Sequence, residues 1–338
     1  MRRRMNAPMP DLLQPGSLLS LPLLRSAGAK LEADLAEWTS DRILALLLPC
    51  HVRDLQSPAL AGIVAILAEI PWLGCIVVGL DGAEPSQHAA AVEKFRPLGT
   101  RCTVLRHDGP PGKGRNLQAC AAHALRDANV FAVAMHDCDI ASYSREFLAR
   151  LCWPVLHPDA GLLACKGCYA RSAGGLHGRV FRLLFQPLLR AWAELAPSTW
   201  GDFLQSLRYP LAGELCVSAS LFPRLEWDPG WGVEVTLLHS LHSAAGAEQL
   251  CQAELCSSYD HKHQAPRDLV LMAGEVARVL RDSMPVPAPA TLRAVCERHI
   301  ARALRDSALT AAANGLPLDE SSELALARDF LAAAFPAQ

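Results

Sequence analysis

The sequence predicts an α/β protein: a mostly parallel sheet with flanking helices, followed by a helical C-terminal extension. Three observations carry that expectation. Short, continuously apolar runs alternate with segments of helical length from residue 43 onward, and strands that are apolar throughout belong to parallel sheets covered on both faces by crossover helices. Acidic residues stand where several of those runs end, at the edge where such sheets hold ligands. From about residue 266 the text becomes helical and Arg/Ala/Leu-rich, broken by PVPAPA at 285–290.

The elements follow in order. ILALLLP (43–49) reads as a strand, and SPALAGIVAILAEI (57–70) as a helix with Ser57 at its N-cap and Pro58 at its first position. CIVVGLD (75–81) is the second strand, PSQHAAAVEKF a helix and RCTVLRH (101–107) the third strand. A helix beginning near Arg115 precedes the fourth strand, VFAVAMHD. After residue 150 the rhythm loosens. GLLACKGCYAR (161–171), LAGELCVSA and CQAELCSSYD are candidate strands, while LHGRVFRLLFQPLLRAWAEL (176–195) is helical with Val180, Leu183, Leu184, Leu188 and Leu189 as its inward stripe. The expected organisation is an N-terminal arm (1–40), one continuous domain (41–265, with halves 41–140 and 141–265) and a helical segment (266–338).

Composition excludes several classes. A chain of 338 residues, 51% hydrophobic and 20% charged, can bury a large core. Lys+Arg 32 against Asp+Glu 34 leaves a net charge of −2, so no global basic field draws it to nucleic acid, and any anion site is local. The basic, Leu-rich start imitates a secretory signal, but Pro10, Asp11, Pro15 and Pro22 interrupt its apolar region, leaving a loose arm that packs a few leucines on the body. Glu69 and Pro71 divide the most apolar later window, 63–80, so no membrane span is expected. Twelve cysteines scattered through apolar runs read as reduced, buried thiols, as in a cytoplasmic protein.

Chemistry concentrates in a few stretches. In VFAVAMHDCDIAS (130–142), His136 stands beside Asp137 and Asp139, which point to one side of a strand with Cys138 on the other. Two adjacent carboxylates suit a hard divalent cation, Mg²⁺ or Mn²⁺, or are a pair of turn aspartates. HDGPPGKGRNLQAC (107–120) offers Gly109, Gly112, Gly114 and Lys113 ahead of a helix start, which fits a diphosphate or a solvated Gly/Pro loop; it lacks Walker A spacing. Asp81, ending the second strand before Gly82, takes hydrogen bonds from a nucleoside or makes a β-turn, and Asp54 is a weaker copy of the same argument. YDHKHQ (259–264) presents His261 and His263 as metal ligands or solvated loop residues. CKGC (165–168) has no second CxxC to complete a zinc cage, and Lys166 between its cysteines can face the cleft. Arg179, Arg182, Gln186 and Arg190 follow a track that marks a solvated helix face, with Arg179 placed in the first turn to hold an acidic acceptor.

Taken in order, LLLPC, VVGLDG, PGKG, HDCD, KGCYAR, GRV, PLAGE, PGWGVEV and DHKH resemble the glucosyl-3-phosphoglycerate synthases, retaining nucleotide-sugar glycosyltransferases of the GT-A fold, from Leu44 to Gln264, roughly two thirds of the chain. The resemblance implies that Pro49, Asp54, Asp81, Lys113, Asp137 and Cys138 bind the donor, with UDP-glucose favoured. It implies metal ligation by Asp139 and His261, a reacting centre near Glu234, Asp137 and Leu211, and an acceptor site of Gly178, Arg179, Lys166 and His263 for 3-phosphoglycerate or glycerate. A homodimer is implied as well. Three positions depart from the family pattern: Phe181 replaces a threonine, His263 an asparagine and Tyr259 an arginine. A sugar-phosphate nucleotidyltransferase and a nucleotide-sugar-binding protein without turnover are the alternatives. A lipid-directed glycosyltransferase is disfavoured by the lack of a membrane segment or basic amphipathic helix.

Overall fold

The computed structural model describes residues 18–106, 109–261, 265–285 and 287–336. Among them, one eight-stranded sheet is built from β1 (Leu19–Leu21), β2 (Ile43–His51), β3 (Cys75–Asp81), β4 (Cys102–Arg106), β5 (Val130–Met135), β6 (Ala164–Cys168), β7 (Leu215–Ser218) and β8 (Leu250–Glu254). Their order is β1-β8-β6-β7-β5-β2-β3-β4. Only β7 runs against its neighbours, β5 and β6; the remaining pairs are parallel.

The apolar strands are covered on both faces. Along β2, Leu44, Leu46 and Leu48 enter one core, shared with α1 (Gly28–Trp38), α2 (Pro58–Ala68), α3 (Pro85–Phe95) and α5 (Arg145–Leu156). Ala45 and Leu47 enter the other, shared with α4 (Lys113–Ala124), α6 (Gln186–Leu195), α7 (Thr199–Ser206), α8 (Val233–Ala245), α9 (Pro266–Ser283), α10 (Pro289–Ala313) and α11 (Glu320–Ala334). This alternation is the two-residue period of a strand, expressed as a three-layer α/β/α body. Ser57 caps α2 by accepting from the Ala59 amide at 3.2 Å, and Pro58 begins the helix, as the sequence predicts.

Three expectations change. The arm is not loose over its described part: β1 pairs in parallel with β8 and is itself the outermost strand on that side of the sheet, and α1 packs on α5. As expected, it packs leucines on the body, Leu18 in one core and Leu35 in the other, and polar contacts add to them: Arg145 Nε donates to Glu32 at 2.8 Å, Trp153 Nε1 to Asp34 at 2.8 Å and the Leu23 amide to Glu254 at 3.1 Å. An exposed sheet edge carries unpaired backbone groups, and the segment Leu-Ser-Leu satisfies those of β8. The helix expected near Arg115 starts at Lys113. Within 176–195 the chain makes a π-helical turn, Phe181–Phe185, before α6. On that turn Arg182 is not on a solvated face: it donates to Ser307 Oγ at 2.7 Å and to Glu323 at 2.8 Å, because α10 and α11 cover the track. No described helix is long and apolar enough to cross a membrane, and all twelve cysteines are free thiols.

Candidate active site

The carboxyl ends of β2, β3 and β5 open onto a cavity of about 400 Å³, within the range of small-ligand pockets. Its walls bring together Pro49, Asp54, Asp81, Lys113, Asp137, Cys138, Asp139, Gly178, Arg179, Leu211, Glu234 and His261. Residues from opposite ends of the domain thus share one chamber.

β5 stops at Met135, so His136 to Asp139 form a loop and strand alternation does not apply to them; Cys138 lines the cavity together with both aspartates. The buried ring of His136 fixes the loop, with Nδ1 2.8 Å from the Asp137 carbonyl and Nε2 3.0 Å from the Tyr143 hydroxyl. Burial pushes His136 down to about 4, so the imidazole is neutral near pH 7.

Lys113 is the electrostatic hub. Its Nζ lies 2.6 Å from Asp137 Oδ1 and 2.7 Å from Glu234 Oε1, and 5.7 Å from the centre of the Trp231 ring. Burial opposes its charge, yet the two carboxylates more than offset this and raise its pKa above the ordinary lysine value. Burial likewise opposes ionisation of Asp137, and Lys113 overcomes it, holding that carboxyl below its usual range. Asp139 makes no such lysine contact among the described residues. Burial, then the neighbouring charge of Asp137, push it up to about 7.

Local sequence explains how Lys113 arrives there. Gly112 donates its amide to Asp81 Oδ2 at 2.9 Å, tying the lysine loop to the end of β3. A Cβ on Gly114 would fall 1.7 Å from the Asp228 carbonyl oxygen, so only glycine lets α4 approach the turn ahead of α8. The loop is therefore not an open cradle of amides: the Gly112 amide serves Asp81 and the Arg115 amide serves the Pro229 carbonyl, at 3.2 Å. Lys113 is what this segment contributes to the cavity wall. His107 and Asp108 lie outside the described residues.

A backbone splice holds the chain at His261 beside the segment that follows Asp139. Ile140 and His261 form an isolated antiparallel bridge, Ala141 donates to the Asp260 carbonyl at 2.8 Å, and the Asp260 amide donates to Ser142 Oγ at 3.1 Å. Asp139 and His261 are a hard oxygen and an imidazole nitrogen, a donor pair suited to Mg²⁺ or Mn²⁺. No group of three or more potential ligands is preassembled among the described residues. Asp139 and His261 would hold such a cation only in part, and a bound substrate would have to supply its further ligands. Burial first, and then the charge of Asp137, raise the Asp139 carboxyl, and a divalent cation beside it would favour its ionised form.

One expected acceptor residue, Lys166, falls elsewhere. Lys166 does not face the cavity: it is 3% exposed, and its ammonium donates to the Ala212 carbonyl under the loop that carries Leu211. Burial lowers it to about 8. Its place in β6, between β7 and β8, turns it beneath the site. His263 lies outside the described residues. Tyr259 stacks on Tyr169 with ring centres 3.7 Å apart, and their hydroxyls donate to the two oxygens of buried Glu214 at 3.0 and 2.6 Å. Both Tyr259 and Glu214 stand behind the cavity wall. Burial, followed by the charge of Asp137, raises the Glu214 carboxyl.

Sequence reasoning missed Trp231, Arg171, Tyr209 and the α9 side chains Leu269, Met272 and Val276, all of which line the cavity. Trp231 and Arg171 occur inside motifs already singled out, which was a usable signal. The α9 contribution had none, since it depends on how the C-terminal helices fold back.

The sheet order and the flanking helices, with a cavity at the carboxyl edge, are those of a GT-A glycosyltransferase fold. No protein-family model matches the chain. It is 34% identical over 297 residues to the glucosyl-3-phosphoglycerate synthase of Persephonella marina, covering 80% of this chain and 74% of that protein. With the synthase of Methanococcoides burtonii it shares 30% identity over 245 residues, 66% of this chain and 60% of the other. Its fold is similar to a crystal structure of the Mycobacterium tuberculosis synthase in complex with Mn²⁺, UDP-glucose and phosphoglyceric acid, with a TM-score of 0.63 at 22% identity over 80% of this chain and 89% of that one. The chain belongs to the glucosyl-3-phosphoglycerate synthase family and is a glycosyltransferase.

Proposed function

We propose that this enzyme transfers glucose from UDP-glucose to the C2 hydroxyl of 3-phosphoglycerate, with retention of the α configuration and with Mg²⁺ or Mn²⁺ held by Asp139 and His261. The observation that carries the reading is Lys113, pinned between Asp137 and Glu234 in the cavity wall beside Asp139. Cleaving the anomeric C–O bond expels a nucleoside diphosphate, and Lys113 supplies fixed positive charge where the leaving group becomes more negative. The cation, when bound, adds Lewis-acid stabilisation of the same oxygens. Asp81, Asp54, Pro49 and Cys138 line the donor half. Gly178 and Arg179 line the acceptor half, and Leu211 closes the wall near the reacting carbon.

Retention without a covalent intermediate is supported by the state of the carboxylates. Glu234 and Asp137 each spend an oxygen on Lys113, which makes them orienting groups and poor nucleophiles. Attack then comes from the face the diphosphate is leaving, and a departing diphosphate oxygen takes the hydroxyl proton. Glu234 holds the sugar for that attack. The free thiols support a reducing, cytoplasmic setting.

The test is a purified-protein assay with UDP-glucose, 3-phosphoglycerate and Mn²⁺, following UDP release and product mass. A phosphorylated glucosyl-glycerate with α linkage by NMR is the expected product. UDP release without that product, or an inverted β linkage, would falsify the reading.

A further inference from the structure

We propose that Arg171 is a second anion ligand of the acceptor site, acting with Arg179 to select an acceptor that is negatively charged at both ends. The proposal rests on the acceptor reading above and adds the residue that sets its charge requirement.

Arg171 lines the cavity and is half-buried. Its Nη1 donates to the Tyr209 hydroxyl at 2.6 Å, its Nη2 touches His261 Nε2, and its guanidinium carbon lies 5.7 Å from the centre of the Tyr209 ring. None of these partners is an anion at neutral pH. Other buried or partly buried cations of the fold are met either by a carboxylate, as Lys113 by two, Arg182 by Glu323 and Arg145 by Glu32, or by backbone carbonyls, as Lys166 by Ala212 and Arg101 by Leu67 and Leu73. Among the described residues Arg171 pairs with no carboxylate. A guanidinium withdrawn from water without a counter-charge is costly, and here it faces a chamber that a soluble anion can enter.

Its position relative to Arg179 supports a shared ligand. The segment from Arg171 to Gly178 is a closed loop, with the His177 amide donating to the Arg171 carbonyl at 2.9 Å and His177 Nε2 2.7 Å from the Ala173 carbonyl. Gly178, with a φ of +71°, turns the chain back beside its start. A Cβ there would stand 3.7 Å from the Tyr209 hydroxyl and 3.9 Å from Arg171 Cδ. The two arginines therefore flank one glycine, Arg179 through the chain and Arg171 through packing. Arg179 also meets no carboxylate among the described residues. Two planar forks of fixed charge are suited to the two anionic groups of 3-phosphoglycerate, a carboxylate and a phosphate, with the reacting hydroxyl between them. Tyr209, hydrogen-bonded to one fork, keeps it from collapsing toward the glycine.

The experiment compares wild type with Arg171→Met and Arg171→Lys on three acceptors: 3-phosphoglycerate, glycerate and glycerol 3-phosphate. Titration with UDP and Mn²⁺ reports the donor site separately. In Arg171→Met, KM for 3-phosphoglycerate should rise by at least about 30-fold, the loss of one desolvated charged contact. The acceptor lacking the end held by Arg171 should lose much less, so that discrimination collapses while UDP affinity stays. Arg171→Lys keeps the charge but not the fork and should recover only part of the loss; it decides the matter if Arg171→Met does not fold. Equal losses on all three acceptors, or wild-type discrimination in both variants, overturn the proposal. A wild-type protein that glucosylates another acceptor but never 3-phosphoglycerate overturns the acceptor reading itself, and this inference with it.

Discussion

At the scale of single residues, charge compensation decides what each carboxylate does. Asp137 and Asp139 are two positions apart, yet Lys113 ionises one while burial and that neighbour's charge hold the other up to about 7. Replacing Lys113 with Ala removes the fixed cation and leaves two buried carboxylates facing each other. Turnover should fall by about 10²–10³-fold, and near-normal kcat in the folded variant would sink the proposed role. Asp139 makes a separate prediction about pH. Its folded pKa lies above the ordinary value of 3.8, so between roughly pH 4 and pH 7 the native protein binds a proton that the unfolded chain has released. Stability of the ligand-free protein should decline as pH rises through that window, with the full cost in force above about 7. Asp139→Asn should flatten that decline. Mn²⁺ with UDP should raise the melting temperature more at pH 8 than at pH 5.5, which calorimetry can measure; an increment independent of pH would contradict the account.

At the scale of elements, close backbone approach explains why the lysine loop is built from glycine. Gly114 sits in the first turn of α4 with the Asp228 carbonyl where a side chain would begin. Gly114→Ala must push α4 from the turn before α8, carrying Lys113 away from Glu234 with it. We expect a loss of about 1–3 kcal/mol in denaturant unfolding together with reduced turnover. Gly62 is the internal control: it lies in α2, and a methyl added there would meet nothing within 4 Å. Gly62→Ala should stabilise by about 0.5–1 kcal/mol through helix propensity alone, with activity unchanged. Opposite signs at two helical glycines distinguish packing from propensity.

At the scale of the whole molecule, the C-terminal helices form part of the cavity wall. Leu269, Met272 and Val276 of α9 line it. Arg182, one turn after Arg179, donates to the His177 carbonyl at 2.8 Å and is neutralised by Glu323 of α11. Glu323→Ala would leave a partly buried guanidinium without its carboxylate, at a cost of about 1–3 kcal/mol. The loop that presents Gly178 and Arg179 should loosen in consequence, raising KM for the acceptor more than KM for UDP-glucose. Steady-state kinetics beside an unfolding curve would show whether the two effects travel together.

The amino-acid sequence by itself determined the elements from β2 to β5, the acidic edge they end on and the resemblance that leads to a sugar-nucleotide chemistry. Apolar period, caps and glycines act over a few residues, so they can be read along the chain. Only the tertiary structure decided that Lys113 pairs with Asp137 and not Asp139, that Lys166 is turned beneath the site, that Arg182 is met by α10 and α11, and that β1 pairs along β8. Each of those outcomes depends on which distant group takes up a desolvated charge or an unpaired backbone bond. Nothing in the spacing of residues along one segment specifies that partner.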